Sequence, residues 1–365
     1  MSGKIGEVRR EKVAFPENHL DITQERRNGL NEKEYDAMMG HPEDINKGLQ
    51  TMTFAKGEQA WQFKALTDLW TGSVDGKHDR LITTGLLGSI RWWFEVLVRG
   101  LGGYACDPTD TKCEGRDHCV VCELFGCTGW VRKFRFDVLD KDGKVKKERI
   151  KKGDEFQLRF TPLRPISGEE WTLLDVTLRL IAEYGAIGGK TVFKPTEESG
   201  RAGKLHHRDF GLVQMTQSRQ FAGTGRGDLE TYLSKWRKLN HGEFAWASLQ
   251  HFWCVNGEYL GRQSNNKSTF NQVLGRQEAK NQGQHLDKGS YKISKWLAGS
   301  QRESKKVFSF KNPKKTFGFV KSGLIDFDAM KEKLQLQNVW GKDGWEFLTE
   351  KRIVDRLFAR EEDHS

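Results

Sequence analysis

The most chemically suggestive segment of the chain is a cluster of cysteines. Five of the six cysteines lie between Cys106 and Cys127, which in a cytosolic protein favours metal binding over disulfides. Zn²⁺ in structural sites takes four soft ligands in a tetrahedron, with sulfur at about 2.3 Å. Cys119 and Cys122 have the C-x-x-C spacing of a zinc knuckle, and the preceding loop can complete the set with Cys106 and Cys113. The pattern therefore predicts structural Zn²⁺, with a set of reduced, buried thiols as the alternative.

Two other residues bear on this prediction. His118 is a reserve ligand, because imidazole nitrogen also binds Zn²⁺. The sixth cysteine, Cys254 in the segment HFWC, is expected to be an ordinary core thiol.

A second candidate site is the segment GAIGGKTVFKPTEESGRAGKLHHRDFG, residues 185–211, which contains six glycines. Its cations and histidines are Lys190, Lys194, Arg201, Lys204, His206, His207 and Arg208. Clustered backbone N–H groups beside cations suit a phosphate backbone. The segment is not a Walker loop, because GGKT lacks the first glycine of that motif and no strand directly precedes it. A flexible basic loop without a ligand is the alternative.

A third candidate lies on the segment GLLGSIRWWFEVLVRG, residues 85–100. Its apolar residues recur at helical spacing, which predicts an amphipathic helix that ends at Gly100. Arg91 and Trp92 lie off the apolar stripe and are candidate RNA contacts, since a guanidinium can bind a phosphate through two parallel hydrogen bonds. The alternative is a helical ion pair between Arg91 and Glu95 at i,i+4.

Basic residues on a predicted strand and hairpin extend this inventory. Residues 130–138 alternate in polarity, and Lys133 and Arg135 take the face opposite to Phe134 and Phe136, which makes them candidate RNA contacts. The KDGK turn at residues 141–144 lies in a basic run that ends at Lys152. This run forms either a protruding RNA-binding hairpin or a solvated edge that opposes aggregation.

The elements that position these residues follow the order strand, helix, strand, strand, helix, strand. The strands are predicted near residues 61–66, 130–138, 156–160 and 210–215. A capping box of Ser167 and Glu170 begins the second helix, which ends before Gly185. This is the βαββαβ order of ferredoxin-like and RNA-recognition domains.

The fold class predicted is α+β, with tandem ferredoxin-like domains, a cysteine-rich insertion and long loops. We expect a polar N-terminal extension over 1–55, as an arm or a disordered tail. A first domain over 56–217 contains the insertion at 104–128. A second, degenerate domain covers 218–365, with helices near 228–238, 326–336 and 346–359, strands near 307–310 and 317–320, and an extended polar loop over 265–288.

Composition restricts the partners. The net charge is +10 and the pI about 9.2, which favours polyanions through counterion release. No apolar run approaches the roughly 18 residues of a membrane helix, so no membrane association is expected. The first residues carry no apolar run after their charges, so no secretory signal is expected, and the predicted location is the cytoplasm.

The glycine-flanked IRWW helix, the CELFG segment and the GAIGGK…FG loop together resemble the RAMP superfamily of CRISPR proteins. The IRWW helix, close to the N-terminal strand, also resembles the first-numbered RAMP subunit of the Cmr complex, the type III-B effector. The resemblance covers roughly residues 57–215. In this family a small residue follows LFG, and Cys127 stands at that position, so we exclude it from the zinc ligands.

The resemblance implies an RNA-binding subunit of a ribonucleoprotein complex. Its partners would be other RAMP subunits, CRISPR guide RNA and target RNA, and it would cap the subunit filament in antiviral defence. It also implies RNA contacts by the glycine-rich loop, at Gly188, Gly189, Lys190, Thr191, Lys204, His206 and Arg208. Arg91 and Trp92 match the helix motif of the family.

The expected role is not catalytic, although an alternative stays open. The RAMP subunit that cuts RNA needs an aspartate in the loop after the first strand, and this chain has Asp68, Asp75 and Asp79 there, with His78. No pattern selects one of them, and aspartate is common in turns. The alternatives are therefore a RAMP-family endoribonuclease and a zinc-containing RNA-processing protein outside CRISPR.

Overall fold

The fold is taken from a computed structural model of the chain. It describes residues 57–72, 79–106, 113–189, 195–217, 224–238, 244–264, 267–275, 291–299, 303–335, 339–340 and 344–359. The predicted extension over 1–55 lies outside the described residues. The described residues all belong to one compact unit, Thr53–Ser365.

Four strands with alternating apolar residues form the first sheet. They are β1 (Gln59–Ala65), β2 (Phe134–Asp140), β3 (Glu155–Pro162) and β4 (Val213–Gln217). They are antiparallel in the order β2–β3–β1–β4. Phe63 lies opposite Phe156 in the register, with their rings stacked 5.7 Å apart. The period-2 pattern therefore places one aromatic face of this sheet in the core.

Two long helices pack with this sheet, α1 (Thr83–Gly100) and α3 (Gly168–Glu183), and the short α2 (Val120–Phe125) lies between them in the chain. The predicted capping box is present, since the Ser167 hydroxyl accepts from the Glu170 N–H at 3.2 Å and the Glu170 carboxylate accepts from the Ser167 N–H at 2.9 Å. The Trp61 indole donates to the Asp175 carboxylate at 2.7 Å, which ties β1 to α3. The predictions for this half of the chain are confirmed within a few residues.

The second sheet contains β5 (Phe252–Asn256), β8 (Val307–Lys311), β9 (Lys314–Phe319) and β10 (Leu348–Thr349). Its order is β10–β5–β9–β8, and a separate ladder joins β6 (Arg262–Ser264) to β7 (Lys267–Ser268). The remaining helices are α4 (Ser199–Ala202), α5 (Arg226–Ser234), α6 (Thr269–Val273), α7 (Tyr291–Ala298), α8 (Phe327–Leu334) and α9 (Glu350–Phe358). The predicted α+β class with antiparallel sheets is confirmed.

Helix α1 contacts both sheets. The Trp93 ring lies 5.6 Å from Phe252 and 5.8 Å from Phe317, and Trp92 lies 5.7 Å from Phe319. The helix motif that carries the candidate RNA contacts is thus held between β1–β4 on one side and the second sheet on the other.

The second half of the chain departs from the sequence predictions in several places, among them the stretch 265–288 and the strand β5. The extended loop predicted over 265–288 is wrong in part, because α6 begins after Ser268, whose hydroxyl accepts from the Asn271 N–H at 3.2 Å, and buries Phe270 and Val273. The other described residues of that stretch are β7 and the turn at 274–275. Strand β5 was not predicted, since FWCV is a continuous apolar run without alternation. Cys254 is fully buried in it, as the core-thiol prediction expected.

Among the described residues, every helix is too short or too polar to cross a bilayer.

Candidate metal centre and nucleic-acid interface

Four cysteine thiols meet in the interior beside α1. We call Cys106, Cys113, Cys119 and Cys122 the cysteine group. Their sulfur atoms all lie within 4.8 Å of one another, and each residue is at most 7% exposed. A tetrahedron with Zn–S bonds of about 2.3 Å needs sulfur atoms about 3.8 Å apart, and Cys106 Sγ and Cys122 Sγ are 3.4 Å apart. The four sulfur atoms are therefore close enough together to hold one metal ion.

Local backbone geometry builds this group. Cys119 is the N-cap of α2 and Cys122 lies in its first turn. The Cys106 N–H donates to Cys119 Sγ at 3.4 Å, and the Cys119 N–H donates to Cys113 Sγ at 3.3 Å. Such amide donors stabilise negative charge on sulfur, which a metal-bound thiolate carries.

The thiols also perturb one another. Hydrogen bonds from Cys106 and Cys113 hold the pKa of Cys119 below its usual range, while the same contacts, together with burial, raise the pKa of Cys106 and of Cys113. A bound cation would lower the pKa of every ligand and complete the deprotonation.

The Arg91 guanidinium is directed at the cysteine group. It donates to Cys122 Sγ at 3.2 Å, to the Gly126 carbonyl at 2.9 Å and to the Glu95 carboxylate at 3.1 Å. Burial opposes the charged form, but Glu95, Cys122 and Cys106 together raise the pKa of Arg91. The Arg91–Glu95 pair, which the sequence left as an alternative, is present. Because four thiolates around Zn²⁺ carry a net charge of −2, Arg91 is well placed to compensate it.

His118 does not join the cysteine group. Its Nδ1 lies 2.6 Å from the Gly115 carbonyl, its Nε2 lies 2.7 Å from the Glu123 carboxylate, and its ring packs 4.5 Å from Trp130. Cys127 also lies outside the four, with its thiol on the Thr128 carbonyl. The geometry thus selects four cysteines over the reserve histidine.

Lys133 continues the polar network that begins at His118. Its ammonium lies 2.6 Å from Glu123 and 2.9 Å from Glu170, and its side chain is 13% exposed. Burial acts to raise the pKa of Glu123, but hydrogen bonds and charge from Lys133 and His118 hold it below its usual value. Two carboxylates therefore engage the Lys133 charge inside the protein. Arg135, by contrast, is 56% exposed and pairs with Asp137 at 3.1 Å.

The glycines at the start of the glycine-rich loop are required by close packing. A Cβ at Gly185 would lie 2.6 Å from the Trp93 ring, and one at Gly188, where φ is +116°, would lie 2.7 Å from the Trp70 carbonyl. The Gly188 N–H donates to the Ser89 hydroxyl at 3.0 Å, and the Gly189 N–H donates to the Trp70 carbonyl at 2.7 Å. These two amides are thus engaged within the protein. Lys190 and Thr191 lie outside the described residues.

Trp92 opens into a cleft of about 320 Å³, which we call the aromatic cleft. It is lined by Gly85, Ser89, Trp92, Trp93, Ala186, Gly188, Gly189, Trp246, Ser304, Phe308 and Phe317. Three predicted RNA residues, Trp92, Gly188 and Gly189, therefore share one cleft. Sequence reasoning missed Trp246 and Phe308, because no pattern in the second half of the chain relates them to α1.

The other end of the glycine-rich loop lines a second, more polar cleft. Lys204, His206 and Arg208 are exposed there. This cleft, which we call the basic cleft, measures about 330 Å³ and is lined by Thr67, Asp68, Lys152, Thr196, Ala202, His207, Arg208, Asp209, Phe210, Lys311 and Asn312. Lys311 is a further residue that the sequence predictions did not single out.

The aspartates after β1 show no arrangement for catalysis in the described part of the chain. The Asp68 carboxylate accepts from the Lys152 N–H at 2.8 Å, which is a turn-stabilising contact. Asp79 is exposed. Asp75 and His78 lie outside the described residues.

One region of the sequence matches a known protein family. Residues 62–193 match the family model of the RAMP superfamily, a segment that contains α1, the cysteine group and the first glycines of the loop. The fold is similar to that of Cmr1 from Pyrococcus furiosus in its apo form, at 12% identity and a TM-score of 0.35, over 83% of this chain and 97% of that one. A likeness at this identity and TM-score supports no conclusion about function. No curated protein matches the chain.

Proposed function

We propose, from the match of residues 62–193 to the family model of the RAMP superfamily, that the chain is an RNA-binding subunit of a type III-B CRISPR effector complex. In this proposal it contacts guide RNA, target RNA or both, adjoins other RAMP subunits in the cytoplasm, and caps their filament. Its role is to bind, and the chemistry of RNA cutting belongs to another subunit.

The observation that carries the proposal is the convergence of α1 and the glycine-rich loop on the aromatic cleft. Trp92 is half-buried against Trp93 and Phe319, so part of its indole stays open to a ligand. A base stacked on an aromatic side chain gains about 1–3 kcal/mol, and the contact tolerates any sequence. The exposed Lys204, His206 and Arg208 on the same loop would supply the phosphate contacts.

We further propose that the two sheets are tandem ferredoxin-like domains, over 56–217 and 218–365. The support is that both sheets place their four main strands in the same order, with the last strand beside the first and the third between the first and the second. The segment 104–128 then stands as a cysteine-rich insertion between α1 and β2 of the first domain.

The cysteine group is proposed to hold structural Zn²⁺. Four buried sulfur ligands with no open coordination position suit a structural site and not a catalytic one. Bound zinc would supply folding free energy to the insertion, while Arg91 would balance its thiolate charge.

The decisive experiment measures binding of the full chain to single-stranded RNA by filter retention over a range of salt concentrations. We expect binding that weakens steeply with salt, and a Trp92→Leu variant whose Kd is about tenfold higher, because one stacked base no longer has its aromatic partner. A matched control is Trp345→Leu, since Trp345 is also half-buried but does not line the aromatic cleft.

Co-purification gives the second arm of this test. The tagged chain should retain RNA and other RAMP subunits when expressed with its neighbouring genes. A chain that neither binds RNA at low salt nor assembles with such subunits would overturn the proposal.

A further inference from the structure

Three segments that are distant in sequence meet at the basic cleft. Lys152 comes from the connection between β2 and β3, Arg208 from the end of the glycine-rich loop, and Lys311 from the end of β8, at its turn into β9. The cleft therefore joins elements of both sheets, which is where ligand sites commonly form.

The three cations of the cleft form no close ion pair within the part of the chain that the structure describes. Among the described residues, Lys152, Arg208 and Lys311 have no Asp or Glu oxygen within 4.0 Å. Lys152 and Arg208 are exposed, and Lys311 is half-buried, with its ammonium 3.4 Å from the Thr196 carbonyl and 5.9 Å from the centre of the Tyr259 ring. Burial raises the pKa of the Asp209 carboxyl, and the charges of Lys311 and Lys152 act against that rise. The three cations still outnumber the two carboxylates of the cleft, so its net charge favours an anion.

The two carboxylates of the cleft bind backbone and not these side chains. The Asp209 carboxylate accepts from the Lys311 N–H at 3.0 Å and from the Asn312 N–H at 2.9 Å. Asp68 accepts from the Lys152 N–H in the same way, and its own carbonyl accepts from the Gly211 N–H at 2.9 Å. Each carboxylate thus fixes the main chain that carries a cation, so the cations are positioned before any ligand arrives.

We propose that the basic cleft binds a phosphate group of an RNA backbone, with Lys152, Arg208 and Lys311 as its cationic contacts. This inference rests on the proposed RNA-binding function and extends it to Lys311, which no sequence pattern singled out, and to Lys152 at the end of the basic run. The planar guanidinium of Arg208 suits two phosphate oxygens at once, whereas each lysine contributes a point charge. The glycine-rich loop then presents a base site at one end and a phosphate site at the other.

The test uses the full chain with Lys152→Gln, Lys311→Gln and the double variant, and single-stranded RNA as the probe. Each single variant should raise Kd about fivefold whatever the RNA sequence, and should lower the slope of log K against log salt by about 0.7 for each phosphate that is no longer neutralised. Lys314→Gln is the matched control, because Lys314 lies across the same turn, 52% exposed, beside Glu258 and outside the cleft. Thermal unfolding of each variant checks that the fold is retained.

Competition with inorganic triphosphate separates two sources of the same phosphate chemistry. We expect RNA to bind the cleft far more tightly than triphosphate does. Tight triphosphate binding that Lys152→Gln abolishes, with RNA affinity unchanged, would assign the cleft to a free polyphosphate and overturn the RNA proposal. If the unsubstituted chain binds RNA and the double variant has the same Kd and the same salt slope, the proposal for the basic cleft is wrong and the proposed function stands. Absence of RNA binding by the unsubstituted chain would remove the proposed function with it.

Discussion

Basic side chains near the cysteine group bind other groups inside the protein, whereas those of the basic cleft line an opening to solvent. Arg91 donates to a sulfur, a carbonyl and a carboxylate, and the neighbouring Lys133 lies between two carboxylates. Lys152 and Arg208 are exposed, and each lacks a carboxylate partner among the described residues. Basic residues in one chain thus divide into those that support the interior and those that remain available to a ligand.

Residue type and amphipathic position therefore do not show whether a basic side chain has partners inside the protein. Arg91, Lys133 and Arg208 were all candidate contacts from the sequence. Cys122, which Arg91 contacts, and Glu170, which Lys133 contacts, lie 31 and 37 residues away along the chain, beyond the range of a local pattern. Only the Arg91–Glu95 pair lies within that range. Substitutions in each group test the division between the two kinds of cation.

The largest effect is expected from the metal ligands. Cys119→Ser should abolish metal binding and destabilise the chain by about 4 kcal/mol or more, because metal binding and folding are coupled in such sites. The measurements are metal content of the purified protein and its thermal midpoint, which should fall by about 5 °C at this chain length. Cys127→Ser should change neither the metal content nor the thermal midpoint. If Cys119→Ser still binds a full equivalent of metal, the cysteine group is not the metal site.

Lys133 should show the next largest effect on stability. Lys133→Met leaves Glu123 and Glu170 without their shared cation, and breaking a buried ion pair typically costs about 3–5 kcal/mol. Urea unfolding gives the value, with the exposed Lys144→Met as control at under about 0.5 kcal/mol. If Lys133→Met has normal stability but binds RNA more weakly, Lys133 is instead one of the cations that contact RNA.

Arg91 is expected to affect the metal more than the RNA. Arg91→Leu should lower metal affinity about 10- to 100-fold, the usual cost of removing a hydrogen-bonding partner of the ligands. Competition with a chromogenic chelator measures that affinity, and Arg91→Lys should restore part of it by returning the charge. If Arg91→Leu instead has normal metal affinity and weaker RNA binding, Arg91 contacts an RNA phosphate, as the helix pattern first suggested.

Arg135 should give the smallest change in stability. Its pair with Asp137 is exposed, and exposed pairs contribute about 0–1 kcal/mol. We expect Arg135→Gln to leave urea unfolding nearly unchanged and to raise the Kd for RNA about threefold. An unchanged Kd would exclude the outer face of β2 from the interface.

How far the sequence predicted the fold depends on which half of the chain is considered. The first half has clear periods, and β1, α1, β3 and α3 lie within a few residues of their predicted bounds. In the second half, β5 is buried on both faces and β10 has only two residues. Neither strand therefore shows the alternation of apolar and polar residues from which a strand is predicted.

The candidate sites divide in a similar way. Metal-ligand spacing is local, so the four cysteines could be predicted, and the structure brings them together. The aromatic and basic clefts depend on the packing of the second sheet, so Trp246 and Lys311 could not be placed there from spacing.

The hydrogen bonds of Asp209 have one more consequence. They attach the end of the glycine-rich loop to the turn between β8 and β9, so the cleft exists only where two remote parts of one polypeptide meet. A chain shortened to its first sheet would therefore lack Lys311 and Asn312, whose backbone N–H groups bind the Asp209 carboxylate.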